Sequence, residues 1–118
     1  MNESPLIIKS KQFALDVIKA CKELRNAKCE SALINQFLRS GTSVGANIRE
    51  AFYAHGKADF IAKLEIALKE ASETGKWLEM LYKTDYIDEP TYKRINKTCS
   101  TIRILLIASI KTAKENSK

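Results

Sequence analysis

The chain has 118 residues, 45% hydrophobic and 29% charged, with four glycines, two prolines and a formal net charge of +6. This is the length and composition of a single globular domain. No apolar run approaches the roughly 18 residues needed to span a bilayer, and few breakers with no alternating pattern exclude a β-rich fold. Residues 1–118 read as one domain with flexible ends at about 1–9 and 114–118. The start, Met1 to Ser4, lacks the basic residues and long apolar stretch of a signal peptide. Cys21, Cys29 and Cys99 are odd in number and form no C-x-x-C pair, so reduced thiols and a cytoplasmic location are expected.

The first helix is predicted from Ser10 to the Ala27–Cys29 region. Phe13, Val17, Ala20, Cys21 and Leu24 recur there at helical spacing. Pro5-Leu6-Ile7-Ile8 reads as an apolar lead that packs on the bundle.

The second helix is predicted to start at Ser31, acting as N-cap. Its apolar stripe is Ile34, Phe37, Leu38, Gly41, Gly45, Ile48 and Phe52. Gly56 is expected to end it near His55 in the left-handed conformation. The two interior glycines each cost about 0.5–1 kcal/mol relative to Ala, so Gly41 and Gly45 are expected to let another helix approach closely.

The third helix should cover residues 57–83. Phe60, Leu64, Ala67, Ala71, Thr74, Leu78 and Leu81 alternate four and three apart, as in a bundle seam. The fourth repeats the pattern with Tyr92, Ile95, Cys99, Ile102, Leu106, Ser109 and Ala113. Asp88 is its predicted N-cap, and Pro90 fits the first turn. Short connections between four such helices predict an all-α, antiparallel up-down-up-down four-helix bundle.

Some apolar residues fall on the wrong side for a monomer. Ile104 and Ile107 lie away from the fourth helix's seam, and Ile66, Trp77 and Met80 lie roughly opposite the seam of the third. A subunit interface through these outer faces follows. On the second helix, Gln36, Arg39, Ser40, Ser43, Asn47 and Glu50 form a polar stripe. It reads either as a solvated or inter-subunit seam or as a ligand surface, with Arg39 able to reach phosphates and Asn47 bases.

Charge is unevenly spread. It is +2 over residues 1–30 (six bases, four acids) and +1 over 31–56 (two bases, one acid). It is −3 over 57–90 (five bases, eight acids) and +6 over 91–118 (seven bases, one acid). The last helix therefore matches the net charge of the whole chain. Such a helix suits a polyanion, and also serves as a plain solvated face. Lys93, Lys97, Lys111 and Lys118 project to one side of it, with Arg94 and Lys114 nearby. Ile104 lies on that same side, so part of the basic face would border the interface.

Catalytic and metal motifs are not evident. Glu50, Glu70 and Glu73 could assemble carboxylates, but the single histidine, His55, has no Glu at Glu-x-x-His spacing. No metal, cofactor or catalytic residue is expected. The spacing of Gly41 and Gly45 also lacks the Lys of a phosphate loop.

The stretch Arg39-Ser40-Gly41-Thr42-Ser43-Val44-Gly45-Ala46-Asn47-Ile48, with Glu50-Ala51, resembles a bacterial family signature. Asp59-Phe60, Leu64, Ala67, Lys69-Glu70-Ala71, Glu73-Thr74 and Trp77-Leu78 extend the likeness, which runs from about Phe13 to Ile110. The family is that of proteins encoded in intervening sequences of 23S ribosomal RNA genes. It is similar to the accessory variability determinant of diversity-generating retroelements. Lys57 and Arg49 depart from its pattern. The resemblance implies an antiparallel four-helix bundle, a ring-like homopentamer, and a non-enzymatic role in nucleic-acid binding. For the retroelement relatives the implied partner is a reverse transcriptase with its template RNA. Two functions are thus expected in competition. One is an oligomeric nucleic-acid binder, most readily of RNA, contacting phosphates through Lys93, Arg94, Lys97, Lys111, Lys114, Lys118 and Arg39. The other is a scaffold docking an enzyme through Trp77, Met80 and Ile66 or the polar stripe.

Overall fold

The computed structural model describes residues 4–116. Four helices follow one another: α1 (Pro5–Asn26), α2 (Ser31–Phe52), α3 (Lys57–Lys83) and α4 (Glu89–Glu115). Among the described residues there is no strand. Each helix packs against its neighbours in sequence, and α4 returns to α1 to close the bundle. The chain reverses at each connection, so the topology is up-down-up-down. Side-chain pairings show the antiparallel registers. Gly41 and Gly45 of α2 face Val17 and Ser10 of α1. Phe52 meets Phe60 edge-on at 5.8 Å between ring centres, and Tyr82 of α3 stacks on Tyr92 of α4 at 4.3 Å.

The seams expected from spacing form the core. Phe13, Val17, Ile34, Phe37, Leu64, Leu78, Ile95, Ile102 and Leu106 are fully buried. Buried polar groups satisfy themselves locally, as burial requires. Ser10 and Ser40 donate to the carbonyls of Ile7 and Phe37, and Thr74 Oγ1 donates to the Glu70 carbonyl at 2.7 Å. Asp16 accepts from Gln12. On α2, Val44 and Ala51 take core positions, whereas Phe52, expected in the stripe, is 45% exposed.

Helix boundaries correct three expectations. α1 begins at Pro5 instead of Ser10, because Ser4 caps it by accepting from the Leu6 N–H and Pro5 occupies the first turn. This is the arrangement that also starts α4, where Asp88 accepts from Thr91 N–H at 2.9 Å ahead of Pro90. Ser31 is the first helical residue of α2, not its cap; Glu30 holds the cap position without a side-chain bond. Gly56 does not end α2 in a left-handed turn. Its φ is 177°, which is extended, and it precedes α3. α2 has already stopped at Phe52, where Tyr53 N–H turns back to the Glu50 carbonyl.

The left-handed closures occur at non-glycine residues. Lys28 (φ 60°) and Asp85 (φ 68°) follow the ends of α1 and α3. In each case the next residue's N–H returns to a carbonyl in the last turn: Cys29 to Leu24 at 3.0 Å and Tyr86 to Leu81 at 2.9 Å. These are Schellman closures, in which orphan carbonyls at the helix end find donors.

Candidate nucleic-acid interface

α4 carries six bases and two acids within its bounds. Its buried side holds Ile95, Cys99, Ile102, Leu106 and Ile110. At about 100° per residue the opposite side must carry Lys93, Lys97, Ile104 and Lys111, and Lys93, Ile104 and Lys111 are exposed, with Lys97 on the same side. The structure sorts the bases by what already holds them. Lys93 pairs with Glu89 one turn earlier at 3.1 Å, and Lys114 pairs with Glu65 of α3 at 3.1 Å. Lys97, Lys111 and Arg94 form no ion pair among the described residues. Arg94 lies near Asp88, whose carboxyl is held below its ordinary range chiefly by the Thr91 hydrogen bonds and, to a lesser degree, by that guanidinium. Glu89 is likewise lowered, first by its hydrogen bond with the Lys93 ammonium. Lys118 lies outside the described residues. Arg103, not marked by spacing, is a further exposed base of α4 without an ion pair among the described residues.

Arg39 sits elsewhere. One guanidinium nitrogen donates to Glu70 at 2.9 Å and the other to Glu73 at 3.3 Å. Two carboxylates across the α2–α3 seam thus neutralise it, and the arrangement is a clamp between helices rather than an open phosphate receptor. The polar stripe around it is partly consumed by the fold. Ser40 is buried, and Asn47 donates back to the Ser43 carbonyl at 2.9 Å.

The residues expected to form an interface divide. Ile104 is 67% exposed, Ile107 52%, Met80 48% and Ile66 44%. Trp77 is half-buried and packs against the core. It stands about a quarter-turn from the centre of the α3 seam, on its flank and one turn before buried Leu81, where a side chain of that size reaches the core. Ile107 also lines an open groove of about 540 Å³ between α3 and α4, with Leu68, Ile110, Lys111 and Lys114. Basic and apolar groups therefore share the same face of α4.

Among the described residues, no group of three or more His, Cys, Asp or Glu could hold a metal ion, and no helix is long and apolar enough to cross a membrane. The three cysteines are free and buried. Burial pushes the Cys21 and Cys99 thiols up to about 11, which keeps them protonated and unreactive near neutral pH.

Comparison with known proteins bears on this arrangement. Residues 3–108 match the family model of the 23S rRNA-intervening sequence protein. The chain belongs to this family. A crystal structure of a protein with unknown function, from the S23 ribosomal protein family of Bacteroides thetaiotaomicron VPI-5482, is 50% identical in sequence. The alignment covers 90% of this chain and 98% of that one, with a TM-score of 0.87. No curated protein matches the chain significantly. The 23S rRNA-intervening sequence match spans the Gly41–Gly45 segment, all of α2 and α3, and α4 as far as Ala108.

Proposed function

We propose that this chain is a non-enzymatic, oligomeric nucleic-acid-binding bundle of the cytoplasm, with RNA as the leading ligand. The observation that carries the reading is the outward face of α4. Lys97 and Lys111 stand there without ion-pair partners among the described residues, on the helix with the largest excess of bases over acids, six against two. Arg94 stands on the flank of that face. Lys93 and Lys114 are held only by exposed pairs, which are worth little and exchange readily for a phosphate. Interactions of this kind go to the backbone of the nucleic acid and read no sequence. Arg39, clamped by Glu70 and Glu73, takes no part.

Oligomerisation, as a homopentamer by family resemblance, supports the same reading. The patch on one copy is modest, and several copies would add by avidity. Exposed Ile66, Met80, Ile104 and Ile107 offer the apolar surface for assembly. Three buried free thiols fit a reducing compartment.

The test is fluorescence anisotropy of labelled RNA and DNA oligomers at rising salt, with Lys97→Glu/Lys111→Glu as the variant and mass determination in solution alongside. The expected result is binding that weakens steeply with salt. The variant's log–log salt slope should be shallower by about 0.7 to 0.9 for each phosphate it no longer neutralises. No binding at low salt by an intact oligomer would replace this reading with a protein-docking scaffold built on the Ile66 and Met80 face.

A further inference from the structure

α1 has a second stripe that the core does not use. Ile8, Leu15 and Ile18 are 53%, 47% and 38% exposed. They lie away from the side that buries Phe13, Val17 and Leu24. Their spacing of seven and three is that of a heptad seam. Lys11, Lys22 and Arg25 fill the remaining positions of that seam, and all are exposed. None of the three bases forms an ion pair among the described residues. The acids of α1 stand off the stripe: Asp16 is buried and bonded to Gln12, and Glu23 lines a groove against Tyr82 and Asp85.

We propose that this face docks an acidic amphipathic helix from a different protein. Apolar and basic residues alternate along one seam. The complementary surface is therefore a helix with aliphatic residues facing Ile8, Leu15 and Ile18 and carboxylates facing Lys11, Lys22 and Arg25. A second copy of this chain supplies no such helix. α3 carries five bases and five acids, and α2 and α4 carry more bases than acids. On α3, Glu73 stands one heptad from both Ile66 and Met80, but Arg39 of its own chain holds it at 3.3 Å, and Lys69 and Lys76 border the same stripe. A bilayer is disfavoured because Lys11 and Lys22 interrupt the apolar stripe instead of flanking it. A nucleic acid is disfavoured because aliphatic side chains occupy the stripe's centre. This docking face is separate from the α4 surface and stands whether or not α4 binds RNA.

The probe is a labelled synthetic helix of about three heptads whose seam alternates leucine and glutamate, titrated against the full chain by fluorescence anisotropy. Leu15→Ser/Ile18→Ser and Lys11→Glu/Lys22→Glu are the variants. All four positions are exposed, and circular dichroism verifies that each variant stays helical. The expected result is that the wild type binds and that each variant binds about tenfold more weakly or worse. The charge-reversed variant should recover affinity for a probe in which lysine replaces glutamate. Equal affinity of wild type and variants would overturn the proposal. A lower subunit number in Leu15→Ser/Ile18→Ser would also overturn it, by assigning the stripe to self-assembly. So would binding of phosphatidylserine vesicles or RNA through these residues with no response to the peptide.

Discussion

Val17 occupies the space that Gly41 leaves by having no side chain: a Cβ on Gly41 would lie 2.8 Å from Val17 Cγ1 and 2.9 Å from Cγ2. α1 and α2 therefore approach as closely as they do only because residue 41 is glycine. The entropic cost of a helical glycine is offset by packing a fully buried valine against bare backbone.

Gly41→Ala is expected to destabilise the bundle by about 1–3 kcal/mol, because Val17 is a stiff, β-branched core residue and overpacking there forces the helices apart. Gly45→Ala makes the control. The nearest atom to its Cβ would be Ser10 Oγ at 3.4 Å, so the gain in helix propensity, up to about 1 kcal/mol, is offset little. Urea unfolding of the two variants should move in opposite directions, or at least differ in that order.

Arg39→Ala should cost stability and leave nucleic-acid affinity unchanged. The guanidinium is half exposed and bridges Glu70 and Glu73, so a loss of about 1 kcal/mol is expected. A fall in RNA affinity as large as that of Lys97→Glu would show instead that Arg39 leaves its clamp to meet phosphate.

The buried thiols make stability depend on alkaline pH. Cys21 and Cys99 stay protonated in the folded chain to about 11, against 9.0 for an ordinary thiol. A raised folded pKa contributes stability that is complete below 9 and is lost as pH rises toward 11. Unfolding midpoints should fall across that window, and fall less in Cys21→Ala/Cys99→Ala. Iodoacetamide at about pH 8, below the ordinary thiol range, should label both thiols in urea and neither in buffer.

Lys28→Gly and Asp85→Gly should each stabilise the bundle, by roughly 0.5–1 kcal/mol. Both residues adopt positive φ in a helix closure, where a Cβ is strained and glycine is not. Thermal unfolding of the single and double variants would check the direction, and the two effects should add, since each closes a different helix.

How much of the fold and the site is legible in the chain depends on the range of the interaction. The α3 seam, Leu64 through Leu81, is readable because alternation of three and four needs only local spacing. The Asp88–Pro90 start of α4 is readable for the same reason. The equivalent Ser4–Pro5 signal carries the same chemistry, yet the short apolar run after it reads equally well as an extended lead. Gly56 misleads because glycine marks both a helix end and a connection, and only φ distinguishes them. The Arg39 clamp depends on the register between α2 and α3, which no periodicity within one helix contains. Trp77 lies on the flank of the α3 seam, where spacing alone does not separate the edge of the core from an outer face, and its partial burial decides it. On α1 the heptad of Ile8, Leu15 and Ile18 is present in the spacing, but only its exposure in the fold separates a second seam from the edge of the first.

The order of the helices has a consequence for how the chain is made. α1 rests on α2, α2 on α3 and α3 on α4, and only the α4–α1 seam joins the two ends of the sequence. Each hairpin can therefore assemble as soon as its second helix leaves the ribosome, with little loop entropy to overcome. The flank of α1 that waits for α4 stays open until α4 is synthesised. The helix with the largest excess of bases is thus also the one that shuts the fold, so a chain truncated before α4 would lack both its closing wall and its basic face.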